Sequence, residues 1–474
     1  MKQHLWINGQ EVEAKEYQPL YSPYKNKQII EVAVAQKENI ITAIDVAYQS
    51  RGRMKDLSSY ERANILQYVA NELEERKEEA AKIITKESAK PIRIALGEVE
   101  RTIETYTFAA EEAKRFYGET IPLDSAKQGA NRTAYTIQEP LGVVAAITPF
   151  NFPMNLVAHK LGPSIASGNT VVLKPATQTP LSAFFIAELF DNAGLPKGAL
   201  NIITSSGKEF GDVITEDDRI KAITFTGSPS VGKTLKKKAG LRKTLMELGS
   251  NSAIIIDESA LIDKIIDRIV QGSFSFSGQV CISVQRIFVH EKIIHSFIEK
   301  MVEKTKELKL GDPLLMETEI SSMISKEDVK RTKEWIDEAV QHGANVLTGG
   351  FEKDDNMMEP TIIYNAPNHV KISCEEAFAP IVVINSFDHL SDAIDHVNDS
   401  KYGLQAGIFT EKLAHAFQAV RELEVGGVLV NDIPTFRVDH MPYGGVKESG
   451  IGREGIRYAI EELTEKKLVI FNHN

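Results

Sequence analysis

Short apolar runs alternate with helical patterns along most of this chain, and this alternation restricts the possible folds more than any other feature of the sequence. The runs at 142–147, 170–173 and 220–225 are each followed by a turn signal and then by a helical stretch. Strands that are joined through a helix pair in parallel, because the crossover returns the chain to the end of the sheet where it began. The sequence therefore predicts an α/β fold with mostly parallel sheets.

A second series of apolar runs predicts a second α/β domain. It begins near 252–256 and continues through 285–289 to 427–430. With 474 residues, 42% of them hydrophobic, the chain can fill two or more apolar cores. The sequence contains no low-complexity linker, internal repeat or long block of charge, so composition alone does not mark the domain boundaries.

The charge and the cysteine content exclude several classes of protein. A net charge of −11 argues against nucleic-acid binding, which needs a basic face. No stretch reaches the roughly 18 uninterrupted apolar residues of a membrane helix, and the N-terminal segment lacks the apolar core of a signal peptide. The two cysteines, Cys281 and Cys374, cannot form a disulfide framework. We therefore expect a cytoplasmic protein without membrane or nucleic-acid partners and without a metal site.

Cys281 and Glu247 are the residues that best support a chemical function. Cys281 ends the segment Phe-Ser-Phe-Ser-Gly-Gln-Val-Cys at 274–281, and Glu247 lies in Met-Glu-Leu-Gly at 246–249. A thiol in a segment with a preceding glycine, together with a lone carboxylate, suggests covalent chemistry with a nearby base. Both segments resemble the nucleophile and general-base motifs of the NAD(P)-dependent aldehyde dehydrogenase superfamily. Further motifs of that superfamily resemble segments 148–153, 173–180, 225–232, 375–380, 402–404 and 442–450 of this chain.

The resemblance implies an NAD(P)-dependent oxidation of an aldehyde to its carboxylic acid in two stages. Cys281 would attack the aldehyde, while the side-chain amide of Asn151 and the backbone N–H of Cys281 stabilise the oxyanion of the thiohemiacetal. After hydride transfer leaves a thioester, Glu247 would activate the water that hydrolyses it. The other cysteine, Cys374, is expected to be inert, because two glutamates follow it and disfavour its thiolate.

The same resemblance implies that NAD or NADP is the cofactor. Lys174, at the end of a predicted strand, would hydrogen-bond the hydroxyls of the adenosine ribose. Thr177 stands where NAD-preferring relatives often carry a glutamate that repels a 2′-phosphate, so this neutral side chain should admit NADP. The residues expected to contact the cofactor are Thr148, Pro149, Phe150, Lys174, Thr177, Gly207, Gly211, Phe225, Thr226, Gly227, Ser228, Val231, Leu248, Glu376 and Phe378.

One segment also fits an unrelated function. Residues 227–234, Gly-Ser-Pro-Ser-Val-Gly-Lys-Thr, match the phosphate-binding pattern G-x-x-x-x-G-K-[ST] at every position, between a predicted strand and a predicted helix. The run at 254–257 could supply the magnesium-binding aspartate of an NTPase. In the aldehyde dehydrogenase interpretation, the same turn points a helix N-terminus at the cofactor pyrophosphate without needing a lysine. A P-loop would leave Cys281 and Glu247 without a role, which favours the dehydrogenase.

Two arginines bear on the choice of substrate. The segments around Arg101 and Arg437 look like those of the lactaldehyde, sulfolactaldehyde and non-phosphorylating glyceraldehyde-3-phosphate dehydrogenase branch. Guanidinium groups beside a pocket favour a small hydroxyaldehyde with an anionic tail, and Asn151 and His440 complete the candidate substrate contacts. Val280 stands where the glyceraldehyde-3-phosphate enzyme carries another arginine, which favours a lactaldehyde or sulfolactaldehyde type. Glyceraldehyde 3-phosphate and succinic semialdehyde stay as alternatives, and either arginine could instead form an ordinary surface ion pair.

The resemblance also divides the chain into three parts. Residues 1–122 and 141–247, with part of 435–457, would form a Rossmann-like cofactor-binding domain, and 248–434 an α/β catalytic domain. Residues 123–140 and 458–474 contain strand-like alternation and would form a small β flap that joins subunits into a homodimer or homotetramer. The alternative is an ordinary edge hairpin inside the monomer.

Overall fold

Strands and helices alternate along the chain in the computed structural model, which describes residues 2–473. The strands are β1 (Lys2–Gln3), β2 (Leu5–Ile7), β3 (Gln10–Val12), β4 (Glu16–Tyr21), β5 (Gln28–Val34), β6 (Thr120–Ile121), β7 (Arg132–Pro140), β8 (Val143–Ile147), β9 (Thr170–Lys174), β10 (Leu200–Ile202), β11 (Ile220–Thr226), β12 (Lys243–Glu247), β13 (Ala253–Ile256), β14 (Arg286–His290), β15 (Asn345–Thr348), β16 (Glu352–Lys353), β17 (Met357–Met358), β18 (Thr361–Tyr364), β19 (Ile381–Phe387), β20 (Tyr402–Gly403), β21 (Gln405–Phe409), β22 (Gly427–Val430), β23 (Val446–Lys447), β24 (Gly450–Ile451) and β25 (Thr464–Asn472). The helices are α1 (Lys37–Asp56), α2 (Ser59–Glu75), α3 (Lys77–Ser88), α4 (Ile92–Ala113), α5 (Asn155–Ala166), α6 (Leu181–Asn192), α7 (Gly207–Glu216), α8 (Pro229–Ala239), α9 (Ile262–Phe274), α10 (Ile294–Lys306), α11 (Lys326–Gln341), α12 (Lys371–Cys374), α13 (Leu390–Asn398), α14 (Leu413–Glu422) and α15 (Ile456–Glu462). The predicted α/β fold class is confirmed.

An eight-stranded sheet organises the first half of the chain, in the order β24-β12-β11-β8-β9-β10-β2-β3. Its central strands, β8 to β12, pair in parallel. In β9, Val171 and Leu173 point into the core formed with α2 to α6, whereas Val172 points into the core formed with α1, α7 and α8. Because a parallel sheet is covered on both faces, its strands are apolar throughout, as the sequence shows. This is a doubly wound, Rossmann-like unit.

A seven-stranded sheet organises the second half, in the order β15-β18-β19-β14-β13-β21-β22. Every pair is parallel except β15 with β18. Helices α9 and α10 contribute to the core on one face, and α13 and α14 contribute to the core on the other. The second predicted series of strands therefore forms a second α/β unit, with β22 at an edge of its sheet.

A separate antiparallel sheet contains the segments that were predicted to form a flap. It has the order β25-β7-β6, and β25 pairs with β7 over its full length of nine residues. Helix α15, which precedes β25, buries Ile456 and Ile460 in the core that α4 and α5 share. Residues 456–462 therefore pack with the first unit, and the strand of the antiparallel sheet begins at Thr464. The division of the chain at residue 458 stays a prediction.

Residues 2–473 contain neither a membrane-spanning helix nor a cluster of metal ligands. None of the helices is both long and apolar enough to cross a bilayer. No group of three or more His, Cys, Asp or Glu side chains there is placed to hold a metal ion.

Candidate active site

The carboxyl ends of four parallel strands meet at one edge of the first sheet. The register aligns Ile147 of β8 with Lys174 of β9 and with Phe225 of β11, and it aligns Thr226 of β11 with Glu247 of β12. Ligands of open α/β sheets bind at this carboxyl edge. Segments that are far apart in the sequence therefore lie side by side where a ligand is expected.

Asn151 lies in the turn between β8 and α5 and is 3% exposed. Its side-chain nitrogen donates a hydrogen bond to the carbonyl oxygen of Gln279, at 3.1 Å, in the segment that carries Cys281. An amide –NH₂ group has two donors, so its second N–H remains for a ligand. The side chain of Asn151 thus connects the first unit to the segment that leads into Cys281.

A buried ion pair holds the turn of Asn151 in place. Lys90 and Glu98 are fully buried and in contact, and Lys90 also donates to the backbone oxygen of Asn151 at 2.6 Å. Glu98 accepts the backbone N–H groups of Met154, at 2.9 Å, and of Asn155, at 3.2 Å. A buried ion pair offsets its desolvation only when further hydrogen bonds satisfy both partners. Those further bonds go to the two ends of the Asn151 turn, which fixes its position.

The segment before Cys281 has an unusual backbone. Phe276 and Ser277 have φ values of 49° and 54°, and Gly278 follows with φ of 68°. Non-glycine residues seldom adopt this left-handed region, and such strain concentrates at functional sites. A Cβ atom at Gly278 would collide with the carbonyl oxygen of Ala379. Close packing therefore requires a glycine at position 278.

Cys281 is partly exposed, and its sulfur lies 3.2 Å from the hydroxyl oxygen of Tyr443. Burial raises the pKa of the thiol to about 11, while the hydrogen bond with Tyr443 and the charge of Arg437 act in the opposite direction. At neutral pH the resting thiol is therefore mainly protonated. A reaction at this sulfur needs neighbouring groups that favour the thiolate.

Glu247 ends β12 and is 4% exposed. Its Oε2 atom is buried and has no hydrogen-bond partner in the described part of the chain. Burial, and then the negative charge of Glu454, raise the pKa of Glu247 well above its ordinary value, although Lys160 lowers it. A carboxyl group with a raised pKa can take up and release a proton near neutral pH, as a general base must.

A group of buried charges lies behind Tyr443. Glu454 accepts hydrogen bonds from Lys160, at 2.6 Å, and from Arg437, at 2.9 Å. The guanidinium of Arg437 lies over the ring of Tyr443, 3.7 Å from its centre, and the Arg437 side chain is 6% exposed. Although burial alone would raise the pKa of Glu454, Lys160 and the other neighbouring positive charges hold it well below its ordinary value. Arg437 is therefore a buried cation that pairs with Glu454, while its Nε atom has no hydrogen-bond partner among the described residues.

The charged group continues through Asp439 to Arg101. Asp439 accepts from Arg101 at 2.7 and 3.2 Å, and it lies 2.7 Å from His159. His159 in turn lies 3.1 Å from Arg437. Burial, and then the charge of Arg437, lower the pKa of His159, which favours its neutral form. The side chain of Arg101 remains 28% exposed at the end of this series.

A cavity of about 760 Å³ lies beside these groups, with Arg101 and Val280 in its wall. Thr435, also in the wall, has a buried hydroxyl without a hydrogen-bond partner among the residues described. Arg437 and His440 are not among the wall residues described, since Arg437 lies behind Tyr443 and His440 is exposed elsewhere. The cavity wall thus carries the guanidinium groups of Arg93, Arg101 and Arg268 together with the free hydroxyl of Thr435.

Lys174 and Glu376 are buried ionisable groups next to the same sheet edge. Burial lowers the pKa of Lys174 to about 8, and its amine donates to the carbonyl oxygen of Pro175 at 3.2 Å. Burial raises the pKa of Glu376 to about 7, although the backbone N–H of Ser250 donates to it at 3.0 Å. Both groups retain hydrogen-bonding capacity, which suits a ligand rich in hydroxyls.

Helix α8 begins at Pro229, directly after β11 reaches the edge. Lys233 therefore lies within the helix and pairs with Glu448 at 2.5 Å. Gly232 also lies in the helix, where a Cβ atom would collide with Leu248. A P-loop needs these residues in an open loop around a phosphate, so the NTPase alternative is wrong. The N-terminus of an eleven-residue helix remains as a site that favours an anion.

The sequence model of the aldehyde dehydrogenase family matches residues 6–469. The chain belongs to this family. It is 47% identical to a 3-sulfolactaldehyde dehydrogenase of Priestia aryabhattai over 468 residues, which are 99% of this chain and 98% of that protein. It is 39% identical to a lactaldehyde dehydrogenase of Methanococcus aeolicus, over 98% of both chains. A glyceraldehyde-3-phosphate dehydrogenase of Methanocaldococcus jannaschii, solved with NADP, superposes with a TM-score of 0.93 at 38% identity, over 97% of this chain and 100% of that one.

As an aldehyde dehydrogenase, the chain is an NAD(P)-dependent oxidoreductase, and the sheet edge suits that cofactor. The residues predicted to contact it lie after β8 (Thr148, Pro149, Phe150), at and after the end of β9 (Lys174, Thr177), on α7 (Gly207, Gly211), around the end of β11 (Phe225, Thr226, Gly227, Ser228), on α8 (Val231), after β12 (Leu248) and before β19 (Glu376, Phe378). The hydroxyls of Thr148 and Thr226 are buried without a partner within the described residues. The rings of Phe150 and Phe378 meet edge to face, with centres 5.7 Å apart. Unpartnered polar atoms beside a helix N-terminus fit a dinucleotide.

Several groups that lie around the dehydrogenase site were not predicted from the sequence. Lys160 gave a signal, because it is a charged residue inside a mostly apolar helical segment. Tyr443 was part of a recognised motif, but no role was inferred for its hydroxyl. Glu454 and the Lys90–Glu98 pair gave no signal, because Lys160 and the turn of Asn151, which they hold in place, are remote in the sequence.

Proposed function

We propose that this aldehyde dehydrogenase oxidises a small hydroxyaldehyde with an anionic tail, of the sulfolactaldehyde or lactaldehyde type, to its carboxylic acid. The observation that carries the proposal is a cavity with Arg101 in its wall, which is also lined by Phe152 and Val280, the sequence neighbours of Asn151 and Cys281. The side chain of Asn151 bonds to the segment of Cys281, and the charge of Glu247 acts on that thiol. The similarity to relatives named for sulfolactaldehyde and lactaldehyde supports the same substrate class.

In the proposed mechanism, the Cys281 thiol first loses its proton to solvent. The thiolate sulfur then forms a bond to the aldehyde carbon, and the carbonyl oxygen becomes an oxyanion. The second N–H of the Asn151 amide and the backbone N–H of Cys281 donate to that oxygen. When bound, NAD or NADP supplies the oxidation by accepting a hydride from the substrate carbon. Glu247 then removes a proton from the water that attacks the resulting thioester, and the acid leaves as the sulfur of Cys281 is restored.

We propose that the cofactor lies along the carboxyl edge of the first sheet. The N-terminus of α8 would bind the pyrophosphate, since its free N–H groups and its dipole favour an anion. Lys174 would donate to the adenosine ribose, and Glu376 would accept from the nicotinamide ribose. The buried position of both side chains supports this assignment, because a ligand hydroxyl would use the hydrogen-bonding capacity that each group retains beside its one bond within the protein.

Thr177 provides a test of cofactor choice. Its side chain is exposed just beyond β9, where a negative charge would repel a 2′-phosphate. Thr177→Glu is expected to lower kcat/KM with NADP by about tenfold or more, while kcat/KM with NAD changes little. Steady-state kinetics with both cofactors measure the ratio of kcat/KM with NADP to kcat/KM with NAD. Thr177→Gln is the uncharged control. Equal losses with the two cofactors would contradict the assignment.

Arg101 is the residue that we propose to recognise the anionic tail of the substrate. It uses Nε and one terminal nitrogen on Asp439, and its other terminal nitrogen donates to no other described residue. A sulfonate, phosphate or carboxylate in the cavity could therefore accept the remaining N–H groups. The geometry favours Arg101 over Arg437 and His440, whose direct substrate contact stays a prediction.

Sulfolactaldehyde and lactaldehyde test this role, because they share a carbon skeleton and differ in the sulfonate. Arg101→Met is expected to lower kcat/KM about tenfold or more for sulfolactaldehyde, and much less for lactaldehyde. Arg93→Met is the control, since Arg93 also lies in the cavity wall but pairs with Glu319. Equal losses of kcat/KM for both aldehydes would show that Arg101 holds Asp439 in position rather than binding the sulfonate of the substrate.

We also propose that the protein forms a homodimer or homotetramer through the antiparallel sheet. The edge strand β22 and the flap strands would provide surfaces for a second subunit, since unpaired edges and exposed apolar side chains favour association. The exposed apolar residues there are Tyr135, Ile137, Leu468, Ile470 and Phe471 on the flap and Leu413, Phe417, Val420 and Val430 near β22. A cytoplasmic location stays a prediction from the sequence.

A further inference from the structure

The hydroxyl of Tyr443 has one polar partner, the reacting sulfur. Tyr443 is 2% exposed, and its hydroxyl oxygen lies 3.2 Å from the sulfur of Cys281. No other hydrogen bond of this hydroxyl exists within residues 2–473. A buried phenol without a partner would lose the free energy of a hydrogen bond, so the contact with sulfur is the one that satisfies it.

The backbone and the ring of Tyr443 are both fixed. Its backbone N–H donates to the backbone carbonyl oxygen of Glu454 at 3.0 Å, and its own carbonyl oxygen accepts from the backbone N–H of Glu454 at 2.6 Å. The guanidinium of Arg437 covers one face of the ring. The apolar side chains of Ile282 and Leu404 are buried in the same small cluster. The hydroxyl is therefore held at the sulfur by packing on several sides.

From this geometry we infer that Tyr443 is a further catalytic residue, whose hydroxyl donates a hydrogen bond to the Cys281 thiolate and stabilises it. The inference rests on the proposed role of Cys281 as the nucleophile. A thiolate has only acceptor capacity, so the phenol must be the donor once the thiol has lost its proton. Burial raises the pKa of Tyr443 well above its ordinary value, which keeps the phenol protonated while it donates.

The other charged groups that face this pair act in opposite directions. Arg437 favours a negative charge on the sulfur of Cys281, whereas Glu376 and Glu247 disfavour it. Tyr443 contributes the direct hydrogen bond to the sulfur, and hydrogen bonds to a charged partner are stronger than neutral ones. Tyr443 is therefore the neighbour whose removal should change the thiolate population most specifically.

Tyr443→Phe removes this hydroxyl and keeps the ring beneath Arg437. In a Cys374→Ala background, the rate of alkylation of Cys281 by iodoacetamide is measured against pH. The pKa that this profile reports for Cys281 is expected to rise by about one unit. A hydrogen bond to a charged group commonly contributes the free energy that corresponds to a shift of that size. At a pH below the Cys281 pKa of both the wild type and the variant, kcat/KM for the aldehyde should fall about tenfold in the variant, while KM for the cofactor is unchanged.

Tyr402→Phe is the matched control, since Tyr402 is also buried but its hydroxyl donates to Glu375. This variant should leave the alkylation profile of Cys281 unchanged. An unchanged profile in Tyr443→Phe would overturn the inference without affecting the role of Cys281, which Cys281→Ser tests separately. If Tyr443→Phe did not fold, replacement of Tyr443 alone by 3-fluorotyrosine would test the same bond. The more acidic phenol should lower the alkylation pKa, and no change would overturn the inference.

Discussion

Replacing Cys281 by serine is expected to lower kcat/KM for the aldehyde by at least about 10³-fold, because a serine hydroxyl has no anionic form near neutral pH. The side chain keeps almost the same size and can still accept from Tyr443. The fold and the cofactor site should therefore remain intact. The activity is measured from the absorbance change as the cofactor is reduced, and thermal unfolding checks the fold.

The second cysteine provides the control for this substitution. Cys374 lies at the end of α12, and burial together with the charge of Glu375 raises the pKa of its thiol. Cys374→Ser is expected to keep full activity. Loss of activity in Cys374→Ser together with its retention in Cys281→Ser would reverse the assignment of the nucleophile.

Replacing Glu247 by glutamine is expected to lower steady-state turnover by about 10²- to 10⁴-fold, the usual contribution of a general base. The amide is as large as the carboxyl but cannot accept a proton from water. Because the bond to Cys281 does not require Glu247 in the proposed mechanism, one equivalent of aldehyde should still react at each active site. Rapid-mixing kinetics should therefore show a burst of reduced cofactor, of about one equivalent per active site, followed by a slow phase.

The pH dependence gives an independent test of the same residue. The pKa of Glu247 is raised by burial and by Glu454, so a fraction of the carboxyl is protonated below that pKa and cannot act as a base. Turnover of the wild type should fall as the pH decreases through this value, whereas the slow phase of Glu247→Gln should lack this dependence. Glu375→Gln, which removes a carboxyl paired with Lys401, should behave like the wild type.

The residues that end parallel strands were predictable from the sequence. Apolar runs located β8, β9 and β11, and the segments that follow them carry Asn151, Lys174 and the turn to α8. The principle that parallel strands end at one edge then brings these residues together. The P-loop pattern misled because a pattern of residue types does not show where α8 begins.

The groups behind the site were not predictable, because their contacts join remote parts of the chain. Lys160 and Glu454 are 294 positions apart, and Cys281 and Tyr443 are 162 apart. The sequence suggested a substrate contact for Arg437, which stays a prediction, and it gave no sign of the buried ion pair with Glu454. Which charge faces a cavity and which is satisfied inside the protein depends on packing that no local pattern encodes.

The covalent bond to Cys281 is tested most directly by mass spectrometry of Glu247→Gln. The variant is mixed with NADP and sulfolactaldehyde, quenched in acid during the slow phase and digested. The peptide that contains Cys281 should be heavier by the acyl group of the substrate, and hydroxylamine should remove that mass. Formation of the acid at the wild-type rate with an unmodified Cys281 peptide, or an acyl group on another residue, would contradict a thioester at Cys281.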